Sequence, residues 1–161
     1  GRSFYNGCFT GRDCFNIKRK NQYMIIQDKI NFYKESLESF TDTMEKYKFL
    51  LDQGKKSPLF PEEYRHDSFK VSGCQAQVWL VPFTKNELLF FHYDSDAFIS
   101  KGMITILCDI YGGQKPKNIY ESDIKLLNVL NLDLLLTPGR RNGVFSMLLK
   151  IKEYAKSYMS K

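Results

Sequence analysis

The chain has 161 residues, of which 43% are hydrophobic and 15% aromatic, and this composition excludes a disordered protein. The net charge of +6 suggests nucleic-acid binding, but residues 1–34 hold seven basic and two acidic side chains, whereas residues 35–161 hold 17 and 16. The excess charge therefore marks a basic N-terminal arm and not a basic domain face. No apolar run approaches the roughly 20 residues of a transmembrane helix, so we expect no membrane partner.

Two helices are predicted in the first third of the chain. Apolar residues recur at three- and four-residue steps over residues 28–40. Asp42 and Glu45 have the spacing of a capping box at the start of a second helix, and Gly54 fits its C-terminal cap. Two prolines then indicate a loop over residues 55–67.

The middle of the chain has the composition of β-strands. Three runs rich in β-formers are predicted to be strands, at residues 69–72, 75–83 and 87–93, with a polar turn at 84–86. Pro82 near the end of the second run indicates an edge strand or a bulge.

The last third of the chain is predicted to be helical again. Ser95 can cap a helix from Asp96 to Tyr111, with Asp96 in its first turn, and two glycines end that helix. The remaining predicted segments are helices at 116–120 and 122–130, a loop at 134–142 and a helix at 142–158. The order predicts an α+β fold with a small three-stranded antiparallel sheet covered by helices.

The cysteines are too few and too widely spaced for a disulfide scaffold or a zinc site, so individual thiols are of interest. They are Cys8, Cys14, Cys74 and Cys108. Cys74 follows Gly73 between two predicted strands, where a loop can present a thiol to a partner, although a free cysteine is also often a small buried residue. Cys108 lies in an apolar run and is predicted to pack in the core, and we assign no function to the cysteines of the arm.

The two histidines, His66 and His92, are the possible imidazole bases for an enzyme. A cysteine hydrolase would need one of them beside Cys74, with a third group to orient it. A hydrolase is therefore one alternative function, and a nucleic-acid-binding module acting through the basic arm is another.

Residues 71–79 (VSGCQAQVW) closely resemble the signature of the SufE family of sulfur-acceptor proteins. Three more stretches resemble that family in the same order: residues 47–56, residues 94–97 followed by Lys101-Gly102, and residues 136–140 followed by Asn142-Gly143. The resemblance covers about residues 28–158. The chain departs from the family at Ala76 and Gly139, where serine is usual.

The resemblance implies a SufE/NifU-like two-layer fold over residues 28–161. Residues 1–27 have no counterpart in the family domain, and their basic composition indicates an extension that is mobile or a transit-peptide remnant. The resemblance also implies that Cys74 takes persulfide sulfur from a SufS-type cysteine desulfurase, stimulates that enzyme, and passes sulfur to a SufB-type scaffold for iron–sulfur cluster assembly. The protein would be a desulfurase activator rather than a stand-alone enzyme. We expect it to bind no cofactor or metal itself, since pyridoxal phosphate belongs to the desulfurase, and we expect no nucleic-acid partner.

The residues expected to support the Cys74 loop or to contact a partner are Gly73, Gln75, Ser95, Asp96 and Arg140. Arg140 matches the arginine of the family's L-T-P-x-R motif and is the candidate cation for stabilising a Cys74 thiolate. A basic extension on a domain of bacterial type suggests a plastid-type organelle, an apicoplast or chloroplast, with the bacterial cytoplasm as the alternative.

Overall fold

A computed structural model describes residues 25–123 and 125–160. The predicted extension therefore lies, for its first 24 residues, outside the described part of the chain, and so do Cys8 and Cys14. In the described part, no helix combines the length and the apolarity that crossing a membrane requires.

The first two helices are α1 (Ile26–Glu38) and α2 (Thr43–Lys55). The predicted start of α2 is confirmed, because the Asp42 carboxylate accepts a hydrogen bond from the Met44 backbone N–H at 3.0 Å. The prediction that Gly54 caps α2 is wrong, since the helix continues past it to Lys55.

Gly54 instead lies where two helices cross at close range. A Cβ built at Gly54 would lie 3.0 Å from the backbone nitrogen of Gly102, and a Cβ at Gly102 would lie 2.1 Å from the carbonyl oxygen of Leu50. Gly102 belongs to α3 (Phe98–Tyr111), which packs against α2. The two glycines therefore let these helices approach more closely than any side chain would permit.

The sheet has two strands, β1 (Val78–Lys85) and β2 (Leu88–Ser95), paired antiparallel from Val78 opposite Ser95 to Lys85 opposite Leu88. Asn86 and Glu87 both have positive φ, as a two-residue hairpin turn of the I′ type requires.

The predicted third strand, residues 69–72, does not form. Asp67–Phe69 is a 3₁₀ turn, and the pairing with β1 is limited to an isolated bridge between Lys70 and Trp79 and a hydrogen bond from Val71 N–H to the Val78 carbonyl. The backbone then turns away at Gly73, which has a φ of +88° that strand geometry does not allow.

Helix α3 is the centre of the core, and nine of its 14 residues are buried. Its predicted start is two residues too early: Ala97 is the N-cap, and Asp96 lies before the helix rather than in its first turn. The Ser95 hydroxyl instead accepts a hydrogen bond from the Ala97 N–H at 3.3 Å, which forms a turn ahead of the helix.

Three helices follow, α4 (Pro116–Glu121), α5 (Leu126–Val129) and α6 (Pro138–Met159), with a 3₁₀ turn at Leu132–Leu134. The predicted helix over 122–130 is thus reduced to four residues. The predicted loop over 134–142 is wrong from Pro138 onward, because Thr137 caps α6 by accepting from the Arg140 N–H and Pro138 occupies the first helical turn.

The molecule is α+β, as the sequence predicts, with helix α3 packed on the inner face of the hairpin. Helix α6 packs on α3 and reaches the hairpin through Tyr154, which donates to the Leu80 carbonyl and packs against Phe91. The outer face carries a second small apolar cluster, in which Phe60, Trp79 and Val81 are buried and Tyr64 and Phe69 pack against them. Residues 70–77, which connect the 3₁₀ turn at Asp67–Phe69 to β1, contain the candidate site.

Candidate functional site

Cys74 lies in the loop between the Lys70 bridge and β1. The preceding Gly73 has a left-handed φ, and a Cβ at this position would lie 2.6 Å from the Ser146 hydroxyl oxygen of α6. The left-handed conformation therefore favours glycine, as predicted for the sharp turn before Cys74, and any larger residue would also displace the Ser146 hydroxyl.

The Cys74 thiol points at helix α6 and is half-buried there. Its Sγ donates to the carbonyl oxygen of Gly143 at 3.4 Å, and a Cβ at Gly143 would lie 3.6 Å from Sγ. The second turn of α6 thus forms the surface on which the sulfur rests.

A cavity of about 380 Å³ opens beside the thiol. Four of the predicted site residues line it, namely Cys74, Gln75, Asp96 and Arg140. Gly73 and Ser95 adjoin it without lining it. The apolar part of the wall includes Met147.

Gln75 lies across the start of α6. A Cβ at Gly139 would lie 2.4 Å from the Gln75 Nε2 atom, so the side chain occupies space that a serine at position 139 would fill. The departure from the family's usual serine is therefore coupled here to the position of Gln75.

The outgoing end of the loop is held by Asp96 and Ser95. The Asp96 carboxylate accepts from the Gln77 backbone N–H at 2.9 Å and from the Gln77 Nε2 at 3.3 Å, and the Asp96 N–H donates to the Gln77 carbonyl at 3.2 Å. The Ser95 hydroxyl donates to the same carbonyl at 2.9 Å. Gln77 is thus a site residue that the sequence analysis did not single out, although it lies within the stretch 71–79 that resembles the family signature.

Burial raises the pKa of the Cys74 thiol to about 11. In this conformation the sulfur is therefore protonated at neutral pH and is a poor nucleophile. Arg140 lines the cavity, but its side chain is exposed, and the pKa of Cys74 is set by burial rather than by a neighbouring cation.

Neither histidine lies beside Cys74. His92 is stacked between Phe83, at 4.3 Å between ring centroids, and Tyr64, at 5.6 Å, on the outer face of the hairpin. His66 lies just before the 3₁₀ turn at Asp67–Phe69 and does not line the cavity. Cys74 therefore lacks the neighbouring histidine that a cysteine hydrolase needs.

The described residues also form no cluster of metal-ligating side chains. Over residues 25–123 and 125–160, no three histidine, cysteine or acidic side chains are grouped to hold a metal ion. Cys108 is buried in α3, which confirms the predicted core position, and burial raises its pKa as well.

The comparisons with known proteins agree on one family. The SufE family, described as an Fe-S metabolism associated domain, matches residues 32–155. The cysteine desulfuration protein SufE of Wigglesworthia glossinidia brevipalpis is 34% identical over 135 residues, which span 83% of this chain and 93% of that protein. An uncharacterized SufE-like protein of Rhizobium etli is 35% identical over 120 residues, 71% of this chain and 81% of that one.

The fold agrees with a solved structure. The solution structure of a hypothetical protein from Thermus thermophilus superposes with a TM-score of 0.70 over 83% of this chain and 97% of the other, at 18% identity. A likeness at that identity establishes the fold alone. The family match and the two relatives go further: the chain belongs to the SufE family and functions in iron–sulfur metabolism.

Proposed function

We propose that the protein accepts sulfane sulfur on Cys74 from a SufS-type cysteine desulfurase and passes it to a SufB-type scaffold. The observation that carries the proposal is the placement of Cys74: a single thiol at the tip of a glycine-preceded loop, beside a cavity and without a histidine partner. The name of the Wigglesworthia relative, a cysteine desulfuration protein, supports the same role.

The chemistry needs one nucleophilic sulfur from this chain. The Cys74 thiolate attacks the outer sulfur of the desulfurase persulfide, a new S–S bond forms on Cys74, and the desulfurase cysteine leaves as a thiolate. No net oxidation occurs, because one S–S bond replaces another. A second transfer to a scaffold thiol repeats the same exchange with Cys74 as the leaving group.

The loop must move for this attack. At the tip of the loop, the Cys74 thiol donates only a weak hydrogen bond to the Gly143 carbonyl. At the base of the loop, by contrast, three hydrogen bonds hold the Gln77 backbone. Withdrawal of the tip from α6 would expose the sulfur and lower its pKa toward the ordinary value of about 8.5. Docking of the desulfurase would supply the driving force for this movement.

The other predicted residues are proposed to support that movement. Gly73 provides the left-handed backbone, Ser95 and Asp96 fix the outgoing end of the loop, and Gln75 and Arg140 contact the arriving partner from the cavity rim. By removing the sulfur, the acceptor would free the desulfurase cysteine for its next turnover and so stimulate that enzyme. Pyridoxal phosphate would act in the desulfurase and not in this chain.

Mass spectrometry after incubation with a SufS-type desulfurase and cysteine tests the proposal. We expect the mass of one sulfur atom to be added to the peptide that contains Cys74. Cys74→Ser should remove the addition, whereas Cys108→Ala, a change at a buried core thiol, should leave it in place. An active desulfurase that leaves Cys74 unmodified would contradict the proposal.

We also propose that the basic N-terminal extension directs the protein to a plastid-type organelle. The support is the sequence itself, in which residues 1–27 hold five basic and one acidic side chain, a net charge of +4. Fusion of residues 1–27 to a fluorescent protein in a plastid-bearing cell tests this. Fluorescence that stays in the cytoplasm would contradict it and favour the bacterial alternative.

A further inference from the structure

Arg65 lies beneath the base of the Cys74 loop, in a segment that none of the family motifs includes. Its guanidinium makes a fork to two carboxylates: Nε and Nη2 donate to Glu62 at 2.8 Å each, and Nη2 also donates to Asp94 at 2.8 Å. The same group lies between two aromatic rings, 5.0 Å from the centroid of Phe60 and 4.7 Å from that of Trp79. Such an arrangement uses the planar fork and the stacking face of arginine, which lysine cannot reproduce.

Asp94 is the carboxylate through which Arg65 reaches the site. Its side chain is only 16% exposed and also accepts from the Ser95 N–H at 2.8 Å and pairs with Lys101 at 3.4 Å. Burial works against the charged form, but the bonds from Arg65, Ser95 and Lys101 outweigh it, and the pKa of Asp94 is lowered. Asp94 therefore fixes the junction between β2 and α3.

This junction carries the outgoing end of the loop. Ser95 and Asp96, the two residues after Asp94, hold Gln77, which lies three residues after Cys74. A shift of the Asp94 backbone would therefore move the hydrogen-bonding groups that fix Gln77.

Arg65 also contacts Trp79, which pairs with the incoming end of the loop. This residue, whose ring stacks on Arg65, forms the isolated bridge with Lys70, and the neighbouring Val78 carbonyl accepts from Val71. Arg65 thus contacts a residue at each end of the loop. Its charge pairs with Asp94, next to the residues that hold the outgoing end, and its flat face stacks on Trp79, which pairs with the incoming end.

We propose that Arg65 is a positioning residue for the Cys74 loop, which ties the two ends of that loop together and so holds the thiol against α6. Its role in sulfur transfer rests on the function proposed above, but its effect on the accessibility of Cys74 does not. The charged groups that face Cys74 across the cavity are Asp96, from the segment before α3, and Arg140, from α6. Replacing Arg65 removes neither of these two charges.

The test compares Arg65→Met and Arg65→Lys with a control variant, Lys152→Met. Lys152 donates to the carbonyls at the end of α4, away from the loop, so its loss is expected to weaken the fold without touching the site. The rate of iodoacetamide alkylation is measured at the Cys74 peptide as a function of pH, and the stability of each variant is measured by urea unfolding.

We expect Arg65→Met to raise the alkylation rate at neutral pH about fivefold and to move the midpoint of the pH profile downward, since the loop leaves α6 more often. Arg65→Lys, which keeps the charge but not the fork, should give an intermediate rate. Lys152→Met should match the wild-type protein at equal fraction folded. The single-turnover rate of sulfur acceptance should rise in Arg65→Met, because withdrawal of the tip from α6 is the step that exposes the thiol, and should return toward the wild-type rate in Arg65→Lys.

An Arg65→Met protein whose alkylation rate and pH profile equal those of Lys152→Met would overturn the proposal. So would an Arg65→Lys protein that is indistinguishable from the wild type, because a point charge would then suffice. If the wild-type Cys74 accepts no sulfur, the proposed function fails, yet the alkylation comparison still decides the role of Arg65.

Discussion

The Sγ atom of Cys74 lies 3.4 Å from the carbonyl oxygen of Gly143, 69 residues later in the chain. At this contact the thiol is half-buried against α6, and burial keeps it protonated at neutral pH. In the proposed function, the same resting position would shield a persulfide on Cys74 from other thiols and from oxidants. The same contact is weak enough to be broken by a docking partner.

Replacing Gly73 with alanine is expected to push Cys74 out of this resting position. The new Cβ would lie 2.6 Å from the Ser146 hydroxyl oxygen and would sit at a φ of +88°. We expect a loss of about 1–2 kcal/mol in the free energy of unfolding and faster alkylation of Cys74. Urea unfolding and mass spectrometry of alkylated Cys74 measure the two effects.

The matched control for this variant is Gly73→Ala combined with Ser146→Ala. The second change removes the nearest clashing atom and leaves the next one at 3.4 Å, but the backbone strain remains. The double variant should therefore recover part of the stability. No recovery would mean that the backbone conformation alone sets the cost at Gly73.

The buried thiol also predicts a pH dependence of stability. Because the pKa of Cys74 is raised to about 11 in the folded protein, the folded state retains a proton that the unfolded state releases at about 8.5. The stabilisation is complete below about pH 8.5 and is lost as the pH rises toward 11. Urea unfolding at several pH values should show a steeper fall between these limits for the wild type than for Cys74→Ser. Parallel curves would contradict the prediction.

The sequence predicts those site residues that are neighbours in the chain. Gly73 and Cys74 stand together in one short run, and the glycine needs only its local backbone to reveal its role. Asp96 and Gln77 are 19 residues apart and meet because β1 and β2 pair with Val78 opposite Ser95. A contact that depends on strand register is not visible until the register is known.

The errors in the predicted fold have similar causes. The run that begins at Pro138 contains a Pro-Gly pair, which indicates a turn, but Thr137 and Pro138 are also suited to starting a helix, and tertiary packing of α6 decides between them. Residues 69–72 have strand-like side chains, yet the sharp backbone turn at Gly73 prevents a third strand. Arg65 follows two prolines in a predicted loop without periodicity, so its contacts are visible only in the structure.

The close crossing of α2 and α3 predicts unequal effects of alanine at its two glycines. At Gly102 the new Cβ would lie 2.1 Å from the Leu50 carbonyl oxygen, which requires the helices to separate, and we expect a loss of about 3 kcal/mol or more. At Gly54 the nearest atom would be 3.0 Å away, and the better helix propensity of alanine, about 1 kcal/mol, offsets part of the cost. Thermal unfolding should therefore give a much lower Tm for Gly102→Ala than for Gly54→Ala, and equal values would contradict this account of the crossing.

Lys152 predicts a stability effect remote from the thiol. Its Nζ donates to the carbonyl oxygens of Ile119 and Tyr120 at 3.1 Å each and to Ser122. It therefore adds a charged donor to the carbonyls at the end of α4, where the Ile119 carbonyl also accepts from the Ser122 N–H and hydroxyl. Lys152→Met keeps most of the aliphatic stem but removes every donor, and we expect a loss of about 1–3 kcal/mol in the free energy of unfolding. Lys152→Arg, which retains donors in a wider head group, should lose less. Urea unfolding measures both variants, and a Met variant as stable as the wild type would show that water replaces the ammonium at the end of α4.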